Sequence, residues 1–85
     1  MLLFHRNFDK QYRKLPPKLQ TRTDERIKLF ISHPLRSQLN NHPLGGKYAG
    51  FWSINITGDY RAIYYFLNDK VVEFVAIDTH SNLYS

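Results

Sequence analysis

Residues 45–65 constrain this chain more than any other stretch. Residues 51–57 alternate around Trp52, Ile54 and Ile56, the period-two pattern of a strand with one buried face. Gly58-Asp59 interrupts them, at a point where glycine accepts the positive φ of hairpin turns at little steric cost. Residues 60–67 resume as a second strand, dense in tyrosine and β-branched side chains. The stretch predicts a β-hairpin with Arg61 near its turn, fed by a basic glycine loop, Gly45-Gly46-Lys47. A hairpin with a guanidinium at its mouth is suited to holding an anion.

The flanking segments fit around this hairpin. Residues 2–4 read as a short first strand. Asn7 is placed to cap a helix in which Phe8, Tyr12 and Leu15 recur at helical spacing. Pro16-Pro17 must end that helix, and Pro17 can open the next one, where its missing N–H costs nothing. Leu19, Thr23, Ile27, Phe30 and Ile31 form the inward stripe of this second helix, which stops before Pro34. Lys18, Arg22 and Arg26 fall at i, i+4, i+8 on a different face. Residues 34–47 lack periodicity and read as a long polar loop, the kind of segment that carries function on a small scaffold. Residues 71–77 are nearly continuous in apolar side chains, interrupted by Glu73, and predict a central strand. The polar tail, 78–85, ends on Leu83 and Tyr84, two side chains able to anchor it.

The predicted order is β-α-α-β-β-β, an α+β fold with a two-helix hairpin on one face of a small antiparallel sheet. The opposite sheet face is then expected to be open for binding. With 85 residues, one domain spanning 1–85 is the expectation.

Charge is unevenly distributed. Residues 1–50 carry ten Lys/Arg against three acids, while residues 51–85 carry two against four, giving +7 and −2 within the overall +5. A basic helical half favours nucleic acid or an acidic protein as partner. There are no cysteines, so neither a disulfide framework nor a thiolate zinc site can form. No signal-peptide pattern or membrane-length apolar run is present, and the expected location is the cytoplasm.

His42, Lys47, Asp59, Arg61, His80 and Tyr84 are the candidates for chemistry. The four histidines show no metal-ligand spacing, and neither a Walker-type loop nor a nucleophile elbow appears. Acid–base groups and cations remain, the set used for metal-free phosphodiester cleavage, in which the 2′-OH of RNA is the nucleophile. Each candidate also has a structural reading. Asp59 suits a turn, His42 a loop contact before Pro43, and His80 and Tyr84 tail packing. Asp59 or Glu73 is the expected partner of Arg61.

Three local patterns, with the Leu-Pro break at 15–16, give the chain a family resemblance. They are Asn41-His42-Pro43-Leu44 followed by Gly46-Lys47, then Gly58-Asp59-Tyr60-Arg61 with Ile63-Tyr64, and Thr79-His80-Ser81-Asn82-Leu83-Tyr84. Together they resemble the RelE/ParE superfamily of bacterial type II toxin–antitoxin toxins, nearest to the YafQ-like mRNA interferases, over almost the whole length. The resemblance implies a metal-independent, cofactor-free endoribonuclease that cuts mRNA in the 30S ribosomal A site and is neutralised by an acidic antitoxin. It also implies His80 and His42 as proton-transfer groups, and Arg61 with Lys47 at the phosphate. Tyr84 would stack or orient, Asp59 would orient a histidine, and Lys18, Arg22 and Arg26 would lie on an RNA-facing surface. Asn55 departs from the pattern, standing where YafQ has a histidine, and a carboxamide cannot exchange protons near neutral pH. ParE-like members inhibit gyrase on the same scaffold, so a non-catalytic gyrase inhibitor is the alternative. A third reading is an inactive module that only binds its antitoxin.

Overall fold

A computed structural model of the protein describes residues 1–84; Ser85, the last residue of the predicted tail, lies outside the described residues. The strands are β1 (Leu2–Phe4), β2 (His42–Pro43), β3 (Trp52–Asn55), β4 (Tyr60–Asn68) and β5 (Val71–Thr79). The helices are α1 (Arg6–Arg13), α2 (Pro17–Ser32) and a short α3 (His80–Tyr84). One five-stranded sheet has the order β1-β5-β4-β3-β2. The expected α+β architecture is present, and the hairpin, the central strand and the proline break stand where the sequence pattern puts them. The sheet is antiparallel from β2 to β5, and β1 joins it parallel to β5.

Register decides the two faces, because directly paired residues point to the same side of a sheet. Trp52 pairs with Tyr64, Ile54 with Ala62, Tyr64 with Phe74 and Ala62 with Ile77. These side chains meet the helices, and both helices pack on this face as expected. Phe74 contacts Phe8 of α1 and Phe30 of α2, with ring centroids 5.8 and 5.5 Å apart. Leu39, from the predicted loop, is also fully buried in this core. The long loop is therefore structured, with 3-10 turns at Ser37–Leu39 and Gly46–Tyr48 around β2.

Several local expectations are corrected. The cap of α1 is His5, whose Nδ1 accepts from the Asn7 N–H at 3.0 Å. Asn7 acts elsewhere. Beyond Phe74, β5 has no β1 residue beside it, and α1 fills the gap. His5 N–H donates to Phe74 O (2.9 Å), Asn7 Nδ2 to Val75 O (2.9 Å), and Ile77 N–H to Gln11 Oε1 (2.8 Å). Val75 is the extra residue of a bulge, since Ile63 pairs with Ala76 but Tyr64 with Phe74. Two amide side chains one helical turn apart thus continue the ladder that β1 begins.

Gly58 does not have the positive φ predicted for it; Gly46 (+59°) and Gly50 (+93°) do. The hairpin turn is held by Thr57 Oγ1 instead, which accepts from the N–H groups of Asp59 and Tyr60. Ile31, assigned to the inward stripe of α2, is 63% exposed. It sits in the last turn of α2, at the rim of an apolar groove with Leu35, Trp52 and Phe66. The sheet face opposite the helices is not fully open either. Ser53 is 0% and Ile63 4% exposed there, and Ile63 lines a cavity with Tyr48 of the loop after β2 and Leu83 of α3.

Two stability predictions follow from this packing. Gln11→Leu, which leaves the Ile77 N–H without an acceptor, should cost about 1–2 kcal/mol and lower the melting temperature by roughly 5–10 °C. Tyr64 donates to Asn41 Oδ1 at 2.7 Å, and burial, offset in part by that bond, raises its phenol above the usual range. A raised phenol stabilises the fold below the unfolded-state value near 10 and loses that contribution as pH climbs through the folded value. Tyr64→Phe should cost about 1 kcal/mol at neutral pH. It should also flatten the alkaline stability loss without abolishing it, because Tyr12 beside Asp24 and Tyr65 beside Glu73 are raised as well. Denaturant unfolding from pH 7 to 11 measures both effects.

Candidate functional site

On the sheet face away from the helices, Asn55 pairs with Arg61 and Arg61 with Asp78, forming one polar row across β3, β4 and β5. The hairpin turn and α3 close the end of this row. His80 N–H donates to the Asp59 main-chain carbonyl at 2.7 Å, tying the start of α3 to the turn. Asp78 Oδ1 accepts from the Thr79 N–H (2.7 Å) and from Asn82 Nδ2 (3.1 Å), which fixes the strand-to-helix exit. The His80 and Tyr84 rings then lie 4.7 Å apart across one helical turn.

Arg61 is held differently from expectation. Its Nη1 lies 3.0, 2.9 and 3.3 Å from the carbonyls of Thr57, Gly58 and Tyr60. Neither Asp59 nor Glu73 pairs with it, and Glu73 accepts instead from the Tyr65 hydroxyl at 2.7 Å. Carbonyl dipoles orient a guanidinium without cancelling its charge. The other guanidinium nitrogens have no partner among the described residues. Such a fork is fixed in place and still available to an anion.

Tyr48 is a residue that the sequence reading missed. Its hydroxyl donates to Leu83 O, its ring meets Tyr84 edge-on at 5.5 Å, and the Lys47 ammonium lies 5.3 Å from its ring centroid. It ties the glycine loop to α3 and brings Lys47 to the same neighbourhood. An aromatic directly after Gly-Gly-Lys is the only sequence signal for it, because its partners lie 35 positions away.

Asp59, Arg61, His80, Tyr84 and, through Tyr48, Lys47 therefore converge. Asp59 meets His80 through its main chain, not its carboxylate. The His80 ring nitrogens have no hydrogen-bond partner among the described residues, so both are open to a ligand. His42 is separate. It pairs with Ser53 on the same sheet face, but three strand spacings, about 14 Å, separate it laterally from β5. Its Nδ1 lies 2.7 Å from Asn40 O. A carbonyl only accepts, so Nδ1 carries the hydrogen and Nε2 points free. Asn55 Oδ1 and Ser53 Oγ, between the two histidines, are buried without a partner among the described residues. Lys18, Arg22 and Arg26 lie on α2, away from this face, and Arg22 pairs with Glu25 at 3.4 Å. Among the described residues no cluster of three or more His, Cys, Asp or Glu could hold a metal ion, and no helix is long and apolar enough to cross a membrane.

Comparison with known proteins agrees with this fold. No curated protein matches the chain by sequence. Among solved structures, YafQ from E. coli strain BL21(DE3) superposes with a TM-score of 0.84 at 21% identity, over 100% of this chain and 98% of that one. YafQ in the E. coli DinJ–YafQ toxin–antitoxin complex gives 0.82 at 22% identity, over 100% and 97%. The toxin–antitoxin complex RelBE2 from Mycobacterium tuberculosis gives 0.66 at 25% identity, over 94% and 96%. The family model described as the bacterial toxin of type II toxin–antitoxin system, YafQ, matches residues 2–85. With that match spanning nearly its whole length, the chain belongs to the YafQ family of type II toxin–antitoxin toxins.

Proposed function

We propose that this toxin acts as an endoribonuclease on mRNA bound to the ribosome, using only its own side chains and the 2′-OH of the substrate. The observation that carries the reading is Arg61, oriented by three carbonyls with no carboxylate against it, beside an anchored His80 with an open imidazole. A phosphodiester seated on the Arg61 fork has its developing phosphorane charge stabilised there. The His80 imidazole moves a proton at the 2′-OH or at the departing 5′-oxygen. The 2′-oxygen bonds to phosphorus as the bond to the 5′-oxygen breaks. The products are a 2′,3′-cyclic phosphate and a 5′-hydroxyl.

The remaining roles follow from placement. Tyr84, packed on His80, orients the imidazole and offers its ring to a base. Lys47 adds positive charge at the same end, and Asp59 anchors His80 through its carbonyl. His42 stands across the sheet with Nε2 free, and we assign it to a neighbouring nucleotide. Asn55, next to Arg61, serves as a hydrogen-bonding group. Membership of a type II family supplies an antitoxin as the protein's partner, and the basic excess of residues 1–50 suits an acidic one.

Primer extension on a reporter mRNA in a purified translation system tests the reading. Cuts inside codons are expected only with ribosomes, and His80→Ala should slow them roughly 100-fold or more. Arg61→Lys, which keeps the charge but loses the fork, should also impair cleavage substantially. Intact mRNA, accompanied by inhibition of gyrase that is indifferent to His80, would replace this function with the ParE-like one.

A further inference from the structure

Helix α3 carries the His80 imidazole, yet little in its own sequence would keep it in place. It spans five residues, and none of them is fully buried. A helix that short is marginal in water without tertiary ties. Its first turn is held by the His80 N–H on Asp59 O (2.7 Å), by Asp78 Oδ1, and by Thr79 Oγ1, which accepts from the Asn82 N–H at 3.2 Å. The last carbonyls of a helix have no partner within it. One of these, Leu83 O, accepts from the Tyr48 hydroxyl, and the Tyr48 ring meets that of Tyr84 edge-on at 5.5 Å. Tyr84 in turn packs on His80 at 4.7 Å. Tyr48 stands on fixed backbone. Leu44 N–H donates to Phe51 O (2.8 Å) to close the loop, Tyr48 N–H to Gly45 O (3.1 Å) and Phe51 N–H to Tyr48 O (3.0 Å).

From this we infer that Tyr48 is a positioning residue for the cleavage step. It braces α3 from a closed loop, through the Leu83 carbonyl and the Tyr84 ring, so that the His80 imidazole meets the substrate in one orientation. A proton-transfer group must stand within hydrogen-bond reach of the atom it serves. Loss of the brace, which lets α3 swing about its first turn, therefore costs rate more than it costs binding. Hydroxyl and ring contribute separably. Phenylalanine keeps the edge contact with Tyr84 and the ring beside Lys47 but loses the hydrogen bond, whereas leucine loses all three. Stability changes little, because α3 buries no residue and the core lies elsewhere. The inference rests on the ribonuclease reading for the reaction that His80 serves, while the brace itself is independent of that reading.

The test pairs cleavage kinetics on mRNA-programmed ribosomes with NMR relaxation of the free protein. Tyr48→Phe should lower kcat roughly fivefold to tenfold with KM within about twofold, and Tyr48→Leu should lower kcat about 50-fold. In a His80→Ala background Tyr48→Phe should have no further effect, since the group it positions is gone. Amide order parameters of residues 80–84 should fall from about 0.85 to below about 0.6 in Tyr48→Leu, while those of β4 and β5 stay as in wild type and show the variant folded. Wild-type kcat and wild-type α3 order in both variants would overturn the inference. So would a rise in KM alone, or an equal loss in the His80→Ala background, since each would make Tyr48 a direct RNA contact. Should the wild-type protein leave ribosomal mRNA intact, the nuclease reading falls and relaxation alone judges the brace, which unchanged order would overturn. His80-dependent cleavage that neither Tyr48 variant alters would keep the nuclease and remove the brace.

Discussion

Tyr64 is held between Trp52 on β3 and Phe74 on β5, and that pairing decides where every other β4 side chain points. Ala62 and Tyr64 enter the core, while Arg61, Ile63 and Tyr65 take the opposite face. A slip of one residue would exchange the two sets, putting Arg61 under the helices and Tyr64 in water. The register is secured from both sides. Phe30 packs edge-on against Tyr64 at 4.9 Å, and the Tyr64 hydroxyl bonds Asn41. Core and candidate site are thus two consequences of one alignment. The bulge at Val75 and its α1 amide partners extend that alignment to the end of β5, where α3 begins.

Much of this was legible in the sequence because it is local. Alternation across residues 51–67 is a periodicity, and Pro16-Pro17 is a backbone prohibition; neither depends on distant partners. The exceptions have long-range or competing causes. Nothing near Leu2 indicates that β1 pairs parallel with a strand some 70 positions later. Asn7 has the chemistry of a cap, but the bare edge of β5 takes its carboxamide and His5 does the capping. Gly58 looks obligatory in a tight turn, yet Thr57 and Arg61 hold the turn and no positive φ is needed. Ile31 continues the helical stripe into the last turn of α2, where it stands at the rim of an apolar groove and stays exposed.

The candidate site divides along the same line. Residues of the hairpin and tail, Asp59, Arg61, His80 and Tyr84, come together because β4 and β5 are neighbours. His42, drawn from the loop, is delivered to the far strand. Tyr48 escaped notice because its function is a contact across 35 residues. Charge shows a comparable division. Among the described residues one ion pair forms, between Arg22 and Glu25, so the other cations of the helical half and the Arg61 fork have no ion-pair partner. A chain built this way favours polyanions at long range, and fixed guanidinium groups then set the orientation at contact.

The central claim is that the polar sheet face at the hairpin mouth addresses the RNA. The most direct measurement is the structure of this protein on a ribosome loaded with 2′-O-methylated mRNA in the A site. The account predicts an mRNA phosphate on the free side of the Arg61 guanidinium, with the His80 imidazole within hydrogen-bonding distance of the blocked 2′-oxygen or the 5′-oxygen. Messenger RNA lying against the helices, with Arg61 and His80 turned to solvent, would contradict it.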